Sequence, residues 1–366
     1  MSRKPFVRPE VEALTPYQPG RPVEEVQREL GLERVVKLAS NEGPFPPFPA
    51  AAEAMRRAEQ ELNRYPDGGI YLLHQALAAR HGVTFENVCV GAGSDGCVDL
   101  LSQAALGPGD EIVCGWPSFP SYVIYAAKQG ATANRVPLRD DRYDLEAIAA
   151  AVGPQTKIVY VCHPNNPTGT MNTREELDAF FELVPPDVLV VVDQAYAEYI
   201  DRDDYPDAVG TYFRAGRRVL VLRTFSKIYG LAGLRVGYAV GPWDVCAAMA
   251  KLRRPFDVTT TAQVAALASL DGADELDRRR LLNARGLAEL QAILRRHDLH
   301  PSEGAVGNFV YVDLGEDAAP LFESLLGQGV IVRPLAGFGN PKAIRISVGT
   351  PDEQAFLDEA LARVRS

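Results

Sequence analysis

The stretch Arg218–Tyr238, RVLVLRTFSKIYGLAGLRVGY, decides the fold. Val219 to Leu222 is a continuous apolar run, the pattern of a strand buried on both faces. The chain leaves it through Thr224, Phe225, Ser226 and Lys227, then continues to Gly230, Gly233 and Arg235. A lysine just past a buried strand lies at the carboxyl end of the sheet, where α/β proteins place ligands. Thr224 and Ser226 supply hydroxyls, and the glycines let a ligand approach the backbone. Arg235 supplies a planar fork suited to an anion. A lone lysine here would mean only a solvated helix start. The whole set points instead to a phosphate-bearing carbonyl compound held covalently.

Outward from this stretch, apolar strands alternate with helical segments from Val88 to Val240. The sequence predicts strands over Asn87–Val90, Glu111–Cys114, Asn134–Val136, Lys157–Cys162, Val188–Asp193, Val219–Leu222 and Arg235–Val240. Helices are expected over Asp95–Ala105, Ser118–Gln129, Leu145–Val152, Arg174–Leu183 and Pro242–Leu252. Such alternation means a mainly parallel sheet with helices on both faces. A long helical pattern, Ala273 to Arg296, then leaves the sheet and bridges to a second domain. That domain is expected as strand Asn308–Leu314, helix Ala318–Gly327, strands Val330–Arg333 and Ala343–Ser347, and helix Pro351–Val364. Upstream, residues 1–45 form an irregular, proline-broken arm with one short helix at Val23–Glu29. A turn-rich KLASNEGPFPPFP follows, then a helix from Ala50 to Leu62.

A chain of 366 residues suits two domains, and 46% hydrophobic with 23% charged residues is ordinary for a soluble enzyme. A net charge of −10 argues against nucleic acid or an anionic membrane as main partner. The five cysteines are scattered without CxxC spacing, so neither a metal site nor a disulfide framework is expected, and a reducing cytoplasm suits them. The start lacks a signal-like apolar core, and no run of 18 apolar residues occurs.

Four further motifs sit at strand ends. GAGSDG, Gly91–Gly96, opens a helix, and its backbone N–H groups suit a phosphate. PSFPSY, Pro117–Tyr122, offers Phe119, either a stacking face for a planar ring or an ordinary core residue. HPNNPTG, His163–Gly169, presents the Asn166 amide in a stiffened turn, with His163 a loop histidine. VLVVVDQAYAEY places Asp193 at the end of the most apolar strand, where a carboxylate must be paired. A protonated pyridine nitrogen would pair it. A lysine amine forms a Schiff base, and pyridoxal phosphate carries both aldehyde and phosphate.

These motifs resemble those of aminotransferases of the aspartate aminotransferase fold, most closely the histidinol-phosphate aminotransferase family, over nearly the whole chain. The resemblance implies an α/β fold: a large cofactor domain (46–255) with a mainly parallel seven-stranded sheet, and a smaller α+β domain (256–366) joined by the arm (1–45). It implies pyridoxal phosphate on Lys227, with Ser94, Asp95, Thr224, Ser226 and Arg235 at its phosphate. Phe119 would stack on its ring, Asp193 face its nitrogen, and Asn166 and Tyr196 its phenolic oxygen. Tyr65, in RYPD, would reach the neighbouring subunit's cofactor in a homodimer. Arg345, in AIRIS, and Arg333, in GVIVRPLAGFG, would hold substrate anions, with Tyr17 and Asn41 closing over the substrate.

The chain departs from the family at Gly96 and Gln194, where acidic residues are usual, and at Phe119, where tyrosine is. Phe119 and Phe256, in RPFDVTTTAQ, also resemble the aromatic amino acid aminotransferases. The expected reaction is histidinol phosphate with 2-oxoglutarate, and the alternative is phenylalanine transamination. A lyase or decarboxylase on the same fold would keep Lys227 and Asp193 but has less use for Arg345. A non-enzymatic regulator would carry a DNA-binding segment, for which the arm is too short and insufficiently basic. An NAD-binding protein would carry a full GxGxxG turn, which GAGSDG lacks.

Overall fold

The computed structural model describes residues 6–14 and 19–365. The strands, in chain order, are β1 (Val36–Lys37), β2 (Val88–Gly91), β3 (Glu111–Trp116), β4 (Thr132–Pro137), β5 (Thr156–Cys162) and β6 (Leu189–Asp193). They continue as β7 (Val219–Thr224), β8 (Gly237–Val240), β9 (Phe309–Asp313), β10 (Val330–Ile331), β11 (Arg333–Pro334) and β12 (Ala343–Ser347). Seven of them form one sheet in the order β2-β8-β7-β6-β5-β3-β4. The strands from β3 to β7 pair in parallel, and only β8 runs antiparallel to its neighbours β2 and β7. The central strands β6 and β7 are buried along their whole length, as continuous apolar runs require. Register sets Cys162 opposite Asp193 and Asp193 opposite Leu222, so β5, β6 and β7 end together. Everything the site needs from the sheet emerges along that edge.

Local signals fix the surrounding helices. Thr173 and Glu176 form a capping box on Arg174–Leu183, and Thr350 and Glu353 form another on Pro351–Val364. A smaller antiparallel sheet, β11-β12-β9, packs over a second core that includes Val310, Ile344, Ile346 and Leu357. The arm joins this part through β1, which pairs in parallel with β10. The helix Ala273–Arg296 bridges the two cores: Leu276 packs on the larger, while Leu290, Ile293 and Leu294 lie in the smaller.

Some boundaries differ from expectation for definable reasons. The helix Thr260–Ser269 packs against Pro49–Ala58 and buries Ala262, Ala265 and Ala266 in the larger core, beyond the change of domain expected at 256. Arg235 is not in a strand: its φ is 52°, and the strand begins only at Gly237. The strand expected over Val330–Arg333 divides into β10, bonded to the arm, and β11, bonded to β12. The helix Tyr71–His81 was not foreseen. The expected Ala50–Leu62 helix ends at Ala58 and tightens into a 3₁₀ turn over Glu59–Glu61.

Candidate active site

Where β5, β6 and β7 end, a cavity of about 180 Å³ opens between the large sheet, the small sheet and the arm. Lys227 lies in its wall, just past β7. Its Nζ is 3.5 Å from the Ser40 carbonyl and 5.4 Å from the Tyr196 ring centroid. Burial, and then the Arg345 guanidinium, bring the amine down to about 8. An amine so placed is partly neutral near pH 7, and hence nucleophilic and basic.

Asp193 faces the same cavity from the end of β6. Burial pushes its carboxyl up to about 6, while two hydrogen bonds oppose that rise. Tyr122 donates its hydroxyl to Oδ2 at 2.7 Å, and the Ala195 N–H donates to Oδ1 at 3.1 Å. Tyr196 lies beside it, its hydroxyl accepting from Asn41 Nδ2 at 3.0 Å, with its ionisation pushed up by burial.

The opposite end of the cavity is built for an anion. The helix Gly93–Ala105 opens with no side-chain cap, leaving its first N–H groups to a ligand or water. Ser94, Asp95, Thr224, Ser226 and Arg235 surround that end. The Asp95 carboxylate is turned away, accepting from the Ser121 and Tyr125 hydroxyls, so that residue offers its backbone. A Cβ on Gly93 would come within 2.8 Å of Arg235 Nη2, and one on Gly237 within 2.3 Å of Ser94 N. Both positions must be glycine for the arginine and the helix start to meet.

The third wall is cationic and aromatic. Arg345 on β12 and Arg333 on β11 are cross-strand partners, and both line the cavity. Arg345 donates to the Ala39 carbonyl at 2.7 Å and to Asn166 Oδ1. Asn41, at φ 53°, is clasped by Ser347 and Asn308. Phe119 and Phe338 complete the lining.

Residues 33–364 match the family described as aminotransferase class I and II. The chain belongs to the class I and II aminotransferases. It is 44% identical to the histidinol-phosphate aminotransferase of Moorella thermoacetica, over 98% of this chain and 93% of that protein. It is also 44% identical to histidinol-phosphate aminotransferase 2 of Pseudomonas aeruginosa, over 98% and 97%. Among solved structures, the Sinorhizobium meliloti histidinol-phosphate aminotransferase in complex with pyridoxal-5'-phosphate superposes with a TM-score of 0.88 at 31% identity, covering 100% of this chain and 98% of that one. The Thermus thermophilus aspartate aminotransferase with maleate gives 0.85 at 26% identity, covering 99% of each.

The aminotransferase cavity gathers all the candidate cofactor- and substrate-binding residues expected from the sequence except two. Tyr17 lies outside the described residues. Tyr65 is 82% exposed and stacks on Phe256 at 4.6 Å, away from its own chain's cavity. Phe256 therefore lies beside Tyr65 and outside its own chain's cavity. Gln194 donates to the Pro206 carbonyl at 2.8 Å and accepts from Arg223 and the Ala208 N–H. His163, buried and stacked on Tyr205, bonds the Asn172 carbonyl, as a structural histidine does. Sequence reasoning missed Tyr122 and Phe338, although both stand in quoted motifs, PSFPSY and RPLAGFG.

Proposed function

We propose that this aminotransferase uses pyridoxal phosphate to transfer the amino group of histidinol phosphate to 2-oxoglutarate. The cofactor's donor set fits the cavity: a lysine amine, a buried carboxylate that needs a cationic partner, and an uncapped helix start beside an arginine. When bound, pyridoxal phosphate supplies an aldehyde that condenses with amines and a protonated ring that accepts an electron pair. Lys227 Nζ would hold that aldehyde, and its amine, once free, would take a proton from the donor's α-carbon. Asp193 would keep the ring nitrogen protonated, its carboxylate oriented by the bonds from Tyr122 and the Ala195 N–H, which favour the ionised form. Tyr196 and Asn166 would donate to the ring's phenolic oxygen. Ser94, Asp95, Thr224, Ser226 and Arg235 would hold the phosphate, and Phe119 would pack on the ring.

The observation that carries the substrate is the pair Arg333 and Arg345, side by side in one wall. Two guanidinium forks suit a dianionic phosphate; a single amino-acid carboxylate needs one. Phenylalanine is the second reading, favoured by Phe119 and Phe338 in the same wall. Single-turnover rates with L-histidinol phosphate and L-phenylalanine decide between them, and a clear preference for phenylalanine defeats the first. Lys227→Ala is expected to abolish the visible absorbance of bound cofactor and lower turnover by at least about 10⁴-fold. Full turnover in that variant would refute the assignment.

Tyr65 and Phe256 present an exposed aromatic pair. We infer that a second copy covers it and that Tyr65 enters the partner's phosphate site. Among the described residues no helix is long and apolar enough to cross a membrane; the proposal of a cytoplasmic enzyme rests on five buried cysteines that form no disulfide. The chain divides best into the arm, a cofactor domain extending through the helix Thr260–Ser269, and a small domain after the bridging helix.

A further inference from the structure

Phe338 ends the short turn Ala336–Phe338 after β11, is buried, and lines the reaction cavity. Two guanidinium groups lie over its ring: Arg345 Cζ is 5.3 Å and Arg333 Cζ 5.5 Å from the centroid. These arginines face each other across β11 and β12. Like charges directly opposite on a sheet repel, and strand pairing does nothing to keep two long side chains converging. An aromatic face attracts a guanidinium, and one ring shared by two draws both forks to one place. Arg345 is further held by the Ala39 carbonyl, by Asn166 and by the Phe309 ring at 5.5 Å. Arg333 is the more exposed of the two.

We propose that Phe338 is a positioning residue that couples Arg333 to Arg345 into a clamp for a dianion, and so sets the preference for a phosphorylated donor over a monoanionic amino acid. The inference rests on reading these arginines as the substrate's anion site. The test uses the cofactor-loaded enzyme, so that the cofactor's own phosphate site is filled. Phe338→Leu keeps apolar volume but removes the ring face. It is expected to raise KM for L-histidinol phosphate, and the calorimetric Kd for inorganic phosphate, by about tenfold. The Kd for acetate, a monoanion with no side chain to meet the ring, should rise by no more than about twofold, since one fork suffices for a carboxylate. Phe338→Tyr keeps the face and should match the parent. Phe338→Met, equally without a ring, replaces the leucine variant should that fail to load cofactor. Unchanged phosphate affinity in the ring-less variant, equal losses for both ligands, or a tyrosine variant as impaired as the leucine one would overturn the coupling. Arg333→Gln separates this from the underlying reading. If it leaves KM for L-histidinol phosphate unchanged, the anion site itself is misplaced. If it raises KM while Phe338→Leu does not, only the role of Phe338 falls.

Discussion

Tyr122→Phe removes one oxygen and tests how the buried carboxylate is kept ready. The Tyr122 ring is wholly buried, stacked on Tyr160 at 4.3 Å and edge-on to Phe119 at 5.6 Å, so phenylalanine fits without repacking. Burial and the nearby Asp193 hold the phenol protonated, so it remains a donor throughout the working pH range. Its loss leaves the Asp193 carboxylate with the Ala195 N–H. A hydrogen bond to a charged group contributes about 1.5–3 kcal/mol, which is roughly one to two pKa units at 1.36 kcal/mol each. The Asp193 carboxyl, already raised to about 6, should therefore rise into the neutral range.

The sign follows from the raised value. An acid whose folded pKa exceeds its unfolded one stabilises the fold below the unfolded pKa, and that contribution is lost as pH rises through the folded pKa. The cofactor-free parent should thus lose stability between about pH 4 and pH 6 from this group, the upper limit being its raised pKa. In the variant the loss should extend past pH 7. Thermal unfolding of the cofactor-free protein against pH reads this directly. In the loaded enzyme, the acid limb of kcat/KM should move up by about one to two units, with about two- to tenfold weaker cofactor retention near pH 7. A variant with the parental acid limb and an unshifted stability profile would show that the hydroxyl does not govern Asp193.

Gly96→Ala should stabilise the protein by about 0.5–1 kcal/mol in urea unfolding, because glycine weakens a helix interior and the added Cβ meets Ala92 Cβ at 3.4 Å and the Gly91 carbonyl carbon at 3.8 Å, both ordinary contacts. Gln194→Glu should cost about 1–3 kcal/mol, since a carboxylate oxygen would face the Pro206 carbonyl where the amide now donates. A gain in stability would mean that the charge of Arg223 outweighs that clash. Arg345→Lys should lower kcat/KM for the donor by about a hundredfold, near 3 kcal/mol, because a point charge cannot serve Asn166, Ala39 and an anion together.

The architecture was legible because its signals are local. Continuous apolar runs such as Val219–Leu222 announce buried strands, and Thr173 with Glu176 announces a helix start. The residues proposed to hold the cofactor could be expected to converge for the same reason: Asp193 ends such a strand, and Asn166 and Lys227 come within a few residues of one. Tyr122 was not, because its partner lies 71 positions away and nothing in PSFPSY marks that hydroxyl as a donor to β6. Phe338 was hidden similarly: its position between two arginines comes from the pairing of β11 with β12, which periodicity cannot supply. The arm looked irregular because β1 is two residues long and exists only through its partner β10.

The contacts of Arg345 join these separately encoded parts into one device. A guanidinium only donates, so Asn166 must turn its carbonyl oxygen toward Arg345, leaving its NH₂ as the group offered to a ligand's oxygen. The same arginine ties down the Ala39 carbonyl of the arm, whose Asn41 donates to the Tyr196 hydroxyl. One cation on the small sheet thus sets the orientation of an amide on the large domain and of a backbone turn in the arm. An anion arriving at Arg345 must share or displace those bonds, so any ligand bound there acts on Asn166 and, through the arm, on Tyr196.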